Sequence, residues 1–539
     1  MTRNITVAEP RIFEGGYVPT LKSEFSLFSG TFRDESPTRQ KEADALLKWK
    51  ASLDNQSRSF LSSWDGNGPC NCTGIICGNS TRSLNRLDLS DNNLVGSLPP
   101  SIGNLTKVYY LYLGSKNIHG SIPQEMGIMI SLTDLYLSEA NLSGSVPASI
   151  GNLKNLIYLH LFSNALSGFV PSSIGNLTNL IELVLDRNEL ICLSGFIPEE
   201  MNNLTSLTQF ELSENFLIGH LPHQVCLGGV LKYFNAYNNY FTGPIPKTLK
   251  NCTSLYVVRL ERNKLTGNLS EDLGIYPNLN YLDLRYNELT GEISSKWGQC
   301  HKLTSLRISN NNITGEIPSE LGKAAQLQAW DLSSNHLTGG IPKELGELKL
   351  LFNLVLNDNH LSGSIPPQFG LRYALASLNL GANNLPGSIP KSLSQCEKLL
   401  ELNLSVNRLS GGIPFELEGP LPDNKAFREA SFLAFRNNKG LCGNITGLEA
   451  CSSNLNHNVD RKINSKIVIA TVIPILCTLL LVFVVFAILS SSQRRERKTD
   501  YKPMMVVSDD MFAICNYDGK VMYENIVNAT EEFDSKYCI

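Results

Sequence analysis

Aromatic and arginine side chains recur along this chain at a spacing that would put them on one line. Tyr112, Tyr136 and His160 stand 24 residues apart, with Phe162 beside the last, and Glu211, Arg259, Asp283 and Arg307 continue the series. Arg262 and Arg285 lie close by. Aromatic and arginine side chains are the usual anchors of binding surfaces, and a guanidinium grips a carboxylate through two parallel hydrogen bonds. The chemistry these residues offer is recognition. An extended peptide laid across the line would set an acidic group, or its C-terminal carboxylate, on the arginines. The competing reading is a row of solvated side chains, some of them paired with Glu261 and Asp283. Nothing points to bond-making. His160 has neither a serine nor a carboxylate placed to serve it as in a hydrolytic triad. Cys70, Cys72 and Cys77 have no fourth ligand near, so no zinc site is expected, nor any cofactor.

A repeat positions these residues. The unit Leu-x-Leu-x-x-Asn-x-Leu-x-Gly-x-Ile-Pro runs from Leu87 to Pro414, with the Asn slot at 92, 116, 140, 164, 188, 215, 239, 263, 287, 311, 335, 359, 383 and 407. All steps are 24 residues except one of 27, between Asn188 and Asn215. Such a period means an α/β solenoid whose coils bury a leucine row only by stacking on one another. Each Leu-x-Leu is a short strand with its leucines inward and its middle residue on the concave face. The middle residues form the column Asp88, Tyr112, Tyr136, His160, Val184, Glu211, Asn235, Arg259, Asp283, Arg307, Asp331. The Asn amide both donates and accepts, so it can satisfy backbone groups where the chain leaves the strand. Lys116 and Ala140 occupy that slot in two coils, which leaves backbone groups short of a partner unless adjacent coils or water supply one. Phe234-Asn235-Ala236 replaces Leu-x-Leu in one coil, but the period holds.

Net charge is −4 over 539 residues, with no basic segment to argue for nucleic acid. The cysteines are informative. Cys70 and Cys77 precede the first repeat, Cys442 and Cys451 follow the last, and Cys226 and Cys252 fall on successive coils. Close pairs at both ends suggest disulfide-braced caps in an oxidising compartment. Acceptor sequons for N-glycans agree, at Asn79, Asn104, Asn141, Asn176, Asn203, Asn251, Asn268, Asn312 and Asn444.

The segments around the repeats divide as follows. Residues 1–40 are polar, patternless and expected to be disordered, with no apolar run suited to a signal peptide. Residues 41–83 form an N-terminal cap, built on the amphipathic stretch Ala45–Leu53 and Trp64. The repeats occupy 84–414, and 415–460 hold a broken repeat and a C-terminal cap. Ile467 to Leu489 is a continuous apolar run, long enough for a single transmembrane helix. Residues 490–539 would then be a short cytosolic tail, with the repeats outside the cell.

Cap, repeat and apolar run together resemble the plant leucine-rich-repeat receptor-like kinases, over roughly residues 41–539. Glu42 to Lys50 and then Cys70-Asn71-Cys72-Thr73-Gly74-Ile75-Ile76-Cys77 look like the plant repeat cap. Leu417 to Asp423, Asn437 to Gly443 and Asn516 to Ala529 look like the group named for interaction with the male-discoverer receptor. The resemblance implies a single-pass plasma-membrane glycoprotein that binds a secreted peptide and recruits a co-receptor kinase with a short repeat ectodomain. It also implies a cytosolic Ser/Thr kinase, whose Gly-rich loop and catalytic motifs do not occur in these residues. The chain as given is therefore expected to bind and not to catalyse. A kinase and signal peptide dropped in gene annotation, or a kinase-free decoy, are the alternatives. Against the family pattern, Phe415 would be the Asn slot after Asn407, too soon to close a coil.

Overall fold

In the computed structural model the described residues are 37–451, apart from 67, 79–82, 115–116, 189–196, 372–373, 415–424, 429–430, 444 and 446. The expectations for residues 1–36, the apolar run 467–489 and the tail 490–539 lie outside them. Among the described residues no helix is long and apolar enough to cross a membrane.

The N-terminal cap opens with helix α1 (Pro37–Ser52), four residues before the boundary read from sequence. Proline suits a first helical turn, where its missing N–H is no loss. Helix α2 (Asn55–Phe60) follows, capped by Asp54, which accepts from the Ser57 N–H at 2.8 Å. Trp49 and Trp64 pack with ring centroids 5.8 Å apart over the first coil. Glu42, fully buried, accepts from the Leu84 N–H at 3.2 Å and so ties the cap to the first repeat strand. Burial raises its carboxyl above the ordinary range.

Strand β1 (Ile75–Cys77) pairs antiparallel with β2 (Leu84–Asp88). From β2 onward the main sheet is parallel, one short strand per coil, to Glu401–Asn403. The register never slips. Leu87 pairs with Leu111, Leu111 with Leu135, and the inward row continues through Phe210, Phe234, Trp330 and Leu378 to Leu402. The irregular coil keeps its volume by exchange. Phe234 stacks on Phe210 at 5.8 Å, and the small Ala236 offsets the larger ring.

The asparagine column supplies the second bond network. Asn335 is typical. Its Nδ2 donates to the carbonyls of Ile308, Leu332 and Ser333 at 3.1, 3.2 and 3.1 Å, and its Oδ1 accepts from the Ile313 N–H at 3.0 Å. Each amide thus bonds its own coil and the coil before it. The residue ahead of the Asn is left-handed, as at Ser334 (φ 51) and Asp358 (φ 59), which turns the chain off the strand. Lys116 lies outside the described residues; Ala140 is buried with no amide to offer. After the 27-residue step, Asn215 reaches back to the Leu185 carbonyl at 3.0 Å, but its buried Oδ1 has no partner among the described residues. A second, flanking sheet accompanies the main one, and its next position after Ala165–Ser167 falls in residues outside the described ones. Its strands run to Ala165–Ser167 and resume at Ile218–His220.

The sequence reading needs correction at the C-terminal end. Phe415 lies outside the described residues. Among the described ones, Asn438 takes the next slot in the stack. It donates to the Leu404 and Phe435 carbonyls at 2.9 and 3.0 Å and accepts from the Leu409 N–H at 3.0 Å, closing a coil of 31 residues after Asn407. Part of the extra length forms the helical turn Lys425–Arg428, whose Ala426 and Phe427 bury against the coil before. Gly440–Cys442 then pairs with Arg408–Gly412, so the stack ends capped, not broken.

Candidate functional site

Strand register carries the predicted column into space. Tyr112, Tyr136, His160, Val184, Glu211, Asn235, Arg259, Asp283 and Arg307 pair in that order, each beside the next on the main sheet. Phe162 and Arg285 stand one outward position along their coils. Arg262 is exposed at the left-handed turn and lies off the column, on the flank. There it helps line a cleft of about 920 Å³ with Glu139, Arg187, Glu214, Phe216 and Tyr240.

The first half of the column is an aromatic ladder. Ring centroids of Tyr112 and Tyr136 are 4.7 Å apart, Tyr136 and His160 4.2 Å, His160 and Phe162 6.3 Å. The Tyr112 hydroxyl donates to Asp134 Oδ1 at 3.2 Å, and His160 Nε2 meets Glu182 at 2.9 Å. A carboxylate does stand against His160, contrary to the sequence reading: Glu182 lies on the next coil, beside it across the sheet. Burial is the main cause that keeps both tyrosines as phenols and holds the Asp134 carboxyl above its usual range.

The second half carries the arginines, and most are already engaged. Arg259 Nε donates to Glu261 Oε1 at 3.0 Å and its guanidinium lies 4.1 Å from the Tyr237 ring centroid. Arg285 forks onto Asp283 through Nε at 3.0 Å and Nη2 at 2.8 Å. Arg262 stacks on Tyr286 at 4.7 Å and Arg307 on Tyr281 at 5.5 Å. Asp283 is fully buried, so its assignment as a ligand contact is corrected: it anchors Arg285 from beneath. Glu261 is also buried, and burial together with neighbouring Asp283 pushes its carboxyl up against the pull of Arg259. The face open to a ligand is thus rings and guanidinium edges over buried carboxylates.

Between the halves lie residues the column alone did not reveal. Asp186 and Ser213 occupy the same outward position as Phe162 in the next two coils. Burial, then the Glu211 charge, lifts the Asp186 carboxyl to about 7. Glu211 is raised by burial, while Gln209 donates to its Oε1 at 2.7 Å. The signal was present in the sequence, two residues beyond each middle position, but adds nothing until depth is known.

The three cysteine pairs join as disulfides, with Cα–Cα distances of 5.4 Å for Cys70–Cys77, 6.0 Å for Cys226–Cys252 and 4.8 Å for Cys442–Cys451. Cys72, Cys300 and Cys396 are buried thiols raised by burial, which suits packing and not reaction. Asn104, Asn176, Asn203 and Asn251 are exposed at the ends of the convex 3-10 turns. Asn141 and Asn312 are exposed on the flank, and Asn268 caps the turn Leu269–Asp272 through its Oδ1. Asn79 and Asn444 are outside the described residues. The described sequons above lie off the concave column, but Asn403-Leu404-Ser405 is a further one and places Asn403 in it, near the C-terminal end of the sheet.

Geometry of this kind defines a class: a capped leucine-rich-repeat solenoid with an outward-facing recognition column. The leucine rich repeat N-terminal domain matches residues 39–78, and the leucine rich repeat matches 83–105, 131–153, 155–177, 278–300 and 302–324. The chain has homologues among plant leucine-rich-repeat receptor-like kinases. One is MDIS1-interacting receptor like kinase 2 of Arabidopsis thaliana, 34% identical over 122 residues, 22% of this chain and 11% of that protein. Another is probable LRR receptor-like serine/threonine-protein kinase At3g47570 of the same plant, 37% identical over 70 residues, 13% of this chain and 7% of that one. These matches span only about a tenth of the length of the relatives. Among solved structures, the plant peptide hormone receptor RGFR1 in complex with RGF2 is similar with a TM-score of 0.55 and 32% identity, over 65% of this chain and 62% of that one.

Proposed function

We propose that this chain is the ligand-binding part of a plant cell-surface receptor, and that its concave column binds a secreted peptide in extended form. The observation that carries this is the line of strand-middle side chains in unbroken register, aromatic at one end and arginine-rich at the other. The likeness to a receptor solved with its peptide hormone supports it. In this reading an acidic side chain or terminal carboxylate of the peptide lies by Arg307, and rings of the peptide pack along Tyr112, Tyr136 and His160. A co-receptor kinase with a short repeat ectodomain would join over the bound peptide, with the chain anchored in the plasma membrane by the apolar run 467–489. No catalytic step is assigned to these residues.

The test is binding of a panel of secreted peptides to the full chain. Arg307→Glu and Tyr136→Ala should each weaken the peptide that binds by about tenfold or more, near 1.4 kcal/mol. Phe169→Ala, a convex residue with 68% exposure, should leave affinity unchanged. Equal affinity for all three variants would remove the concave column from the proposal.

A further inference from the structure

We propose that the middle of the concave face, around Asp186, Glu211 and Ser213, is a subsite for a basic side chain of the ligand, arginine in preference to lysine. This deepens the peptide-binding reading above and rests on it.

The chain shows how it seats its own guanidinium groups on this face. Arg86 pairs with Asp88 at 2.8 Å and lies 4.9 Å from the Tyr112 ring centroid. Arg259 pairs with Glu261 and covers Tyr237. Carboxylate and ring form one cradle, as expected for a planar, weakly hydrated cation. Between these two arginines the cradle recurs without a guanidinium. Asp134, Glu182, Asp186 and Glu211 stand among Tyr136, Tyr158 and Phe162. Facing them are His160, already on Glu182, Arg86, which acts on Asp134 but is paired with Asp88, and Arg187, whose Nε is 3.3 Å from Glu214 at the rim.

A second observation is independent of charge. Three acceptor groups in this patch are buried and lack a hydrogen-bond partner: Asp186 Oδ1, Ser213 Oγ and Asn235 Oδ1. Ser213 is only 1% exposed. Buried polar groups are almost always satisfied, and for the Asp186 and Asn235 oxygens the missing partner is a donor, while the Ser213 hydroxyl can take either kind. A guanidinium brings five N–H donors in a fixed fork and no acceptor. A ligand carboxylate could accept from the Ser213 hydroxyl but would leave the Asp186 and Asn235 oxygens unmet, and a plain apolar side chain would leave all three.

Spacing follows from the sheet. Glu211 and Arg307 are four strand steps apart in register, which is roughly 19 Å at ~4.8 Å per step. An extended peptide rises ~3.3 Å per residue, so the basic residue sits about six positions from the group that meets Arg307.

The experiment selects random linear peptides with free C-termini on the full chain, wild type and Asp186→Asn/Glu211→Gln. Wild-type selection should yield peptides with arginine, more often than lysine, about six residues before the C-terminus. Replacing that residue by citrulline, its neutral isostere, should weaken binding by about tenfold on wild type and by no more than about twofold on the double variant. If the double variant does not fold, Glu182→Gln should show a reduced citrulline effect in its place. Selected peptides without a basic residue, or a citrulline effect equal on wild type and variant, would overturn the subsite while peptide binding stands. Failure to select any peptide would remove the peptide-binding reading, and the subsite with it.

Discussion

Replacing Asn335 by alanine isolates what one rung of the amide column contributes. The substitution deletes three donor contacts, to Ile308, Leu332 and Ser333, and the acceptor of the Ile313 N–H. Ile313 is fully buried, so its N–H has no water to turn to. An orphaned buried donor costs about 1–3 kcal/mol, and each carbonyl that loses a partner costs less because it retains a backbone bond or a second lone pair. The sum is about 3–5 kcal/mol, felt by the coil itself and the one before it. Repeat arrays lose stability locally and need not unfold as one unit. Amide hydrogen exchange is therefore the suitable assay. Exchange across 305–340 should accelerate on the order of hundredfold or more, while residues 85–115 keep their protection. The reverse change, Ala140→Asn, restores an amide in register with Leu113, Leu137 and Ser138 and should slow exchange in its coil by about 1–2 kcal/mol. An Asn335→Ala effect below about 1 kcal/mol would refute the view that these amides hold the coils together.

Other consequences can be checked alongside. Asp186 is an acid whose folded value, about 7, lies above its ordinary one. The folded state then binds more protons than the unfolded between about pH 4 and pH 7, so this group's contribution is fully present in acid and is lost as pH rises through 7. Asp186→Asn should flatten the fall in melting temperature over that window; an unchanged pH profile would count against the assignment. Cys226→Ser with Cys252→Ser opens a link between residues 26 apart and should cost about 3–4 kcal/mol, read as faster proteolysis near the exposed Leu227. Asn438→Ala should destabilise the last coil as Asn335→Ala does the middle, exposing Phe435 to solvent quenching.

The leucine rows, the amide column and the order of residues on the concave face were legible because each rests on a strict period. Departures from period were not. Asn438 closes its coil after 31 residues in place of 24, and no count along the chain shows that a helical turn at 425–428 takes up part of the excess. Glu42 acts once, on one N–H of the first repeat strand, and leaves no pattern. Depth was equally hidden. Asp283 and Val184 share the column with Arg307, yet both are buried, because Arg285 folds over Asp283 and the strand is packed closely around Val184. Pairing between residues two apart on one coil, as in Arg259 with Glu261, depends on rotamers and not on spacing. The unmet acceptors of Asp186, Ser213 and Asn235 are visible only once neighbouring coils are in place.

Photo-crosslinking of a bound peptide carrying a benzophenone residue is the most direct test of where recognition occurs. Binding on the concave face predicts adducts at Tyr136, His160, Glu211 and Arg307, in the order in which the peptide crosses the strands. Adducts confined to the convex turns around Asn176 and Asn251, or to the flank cleft at Phe216 and Tyr240, would contradict it.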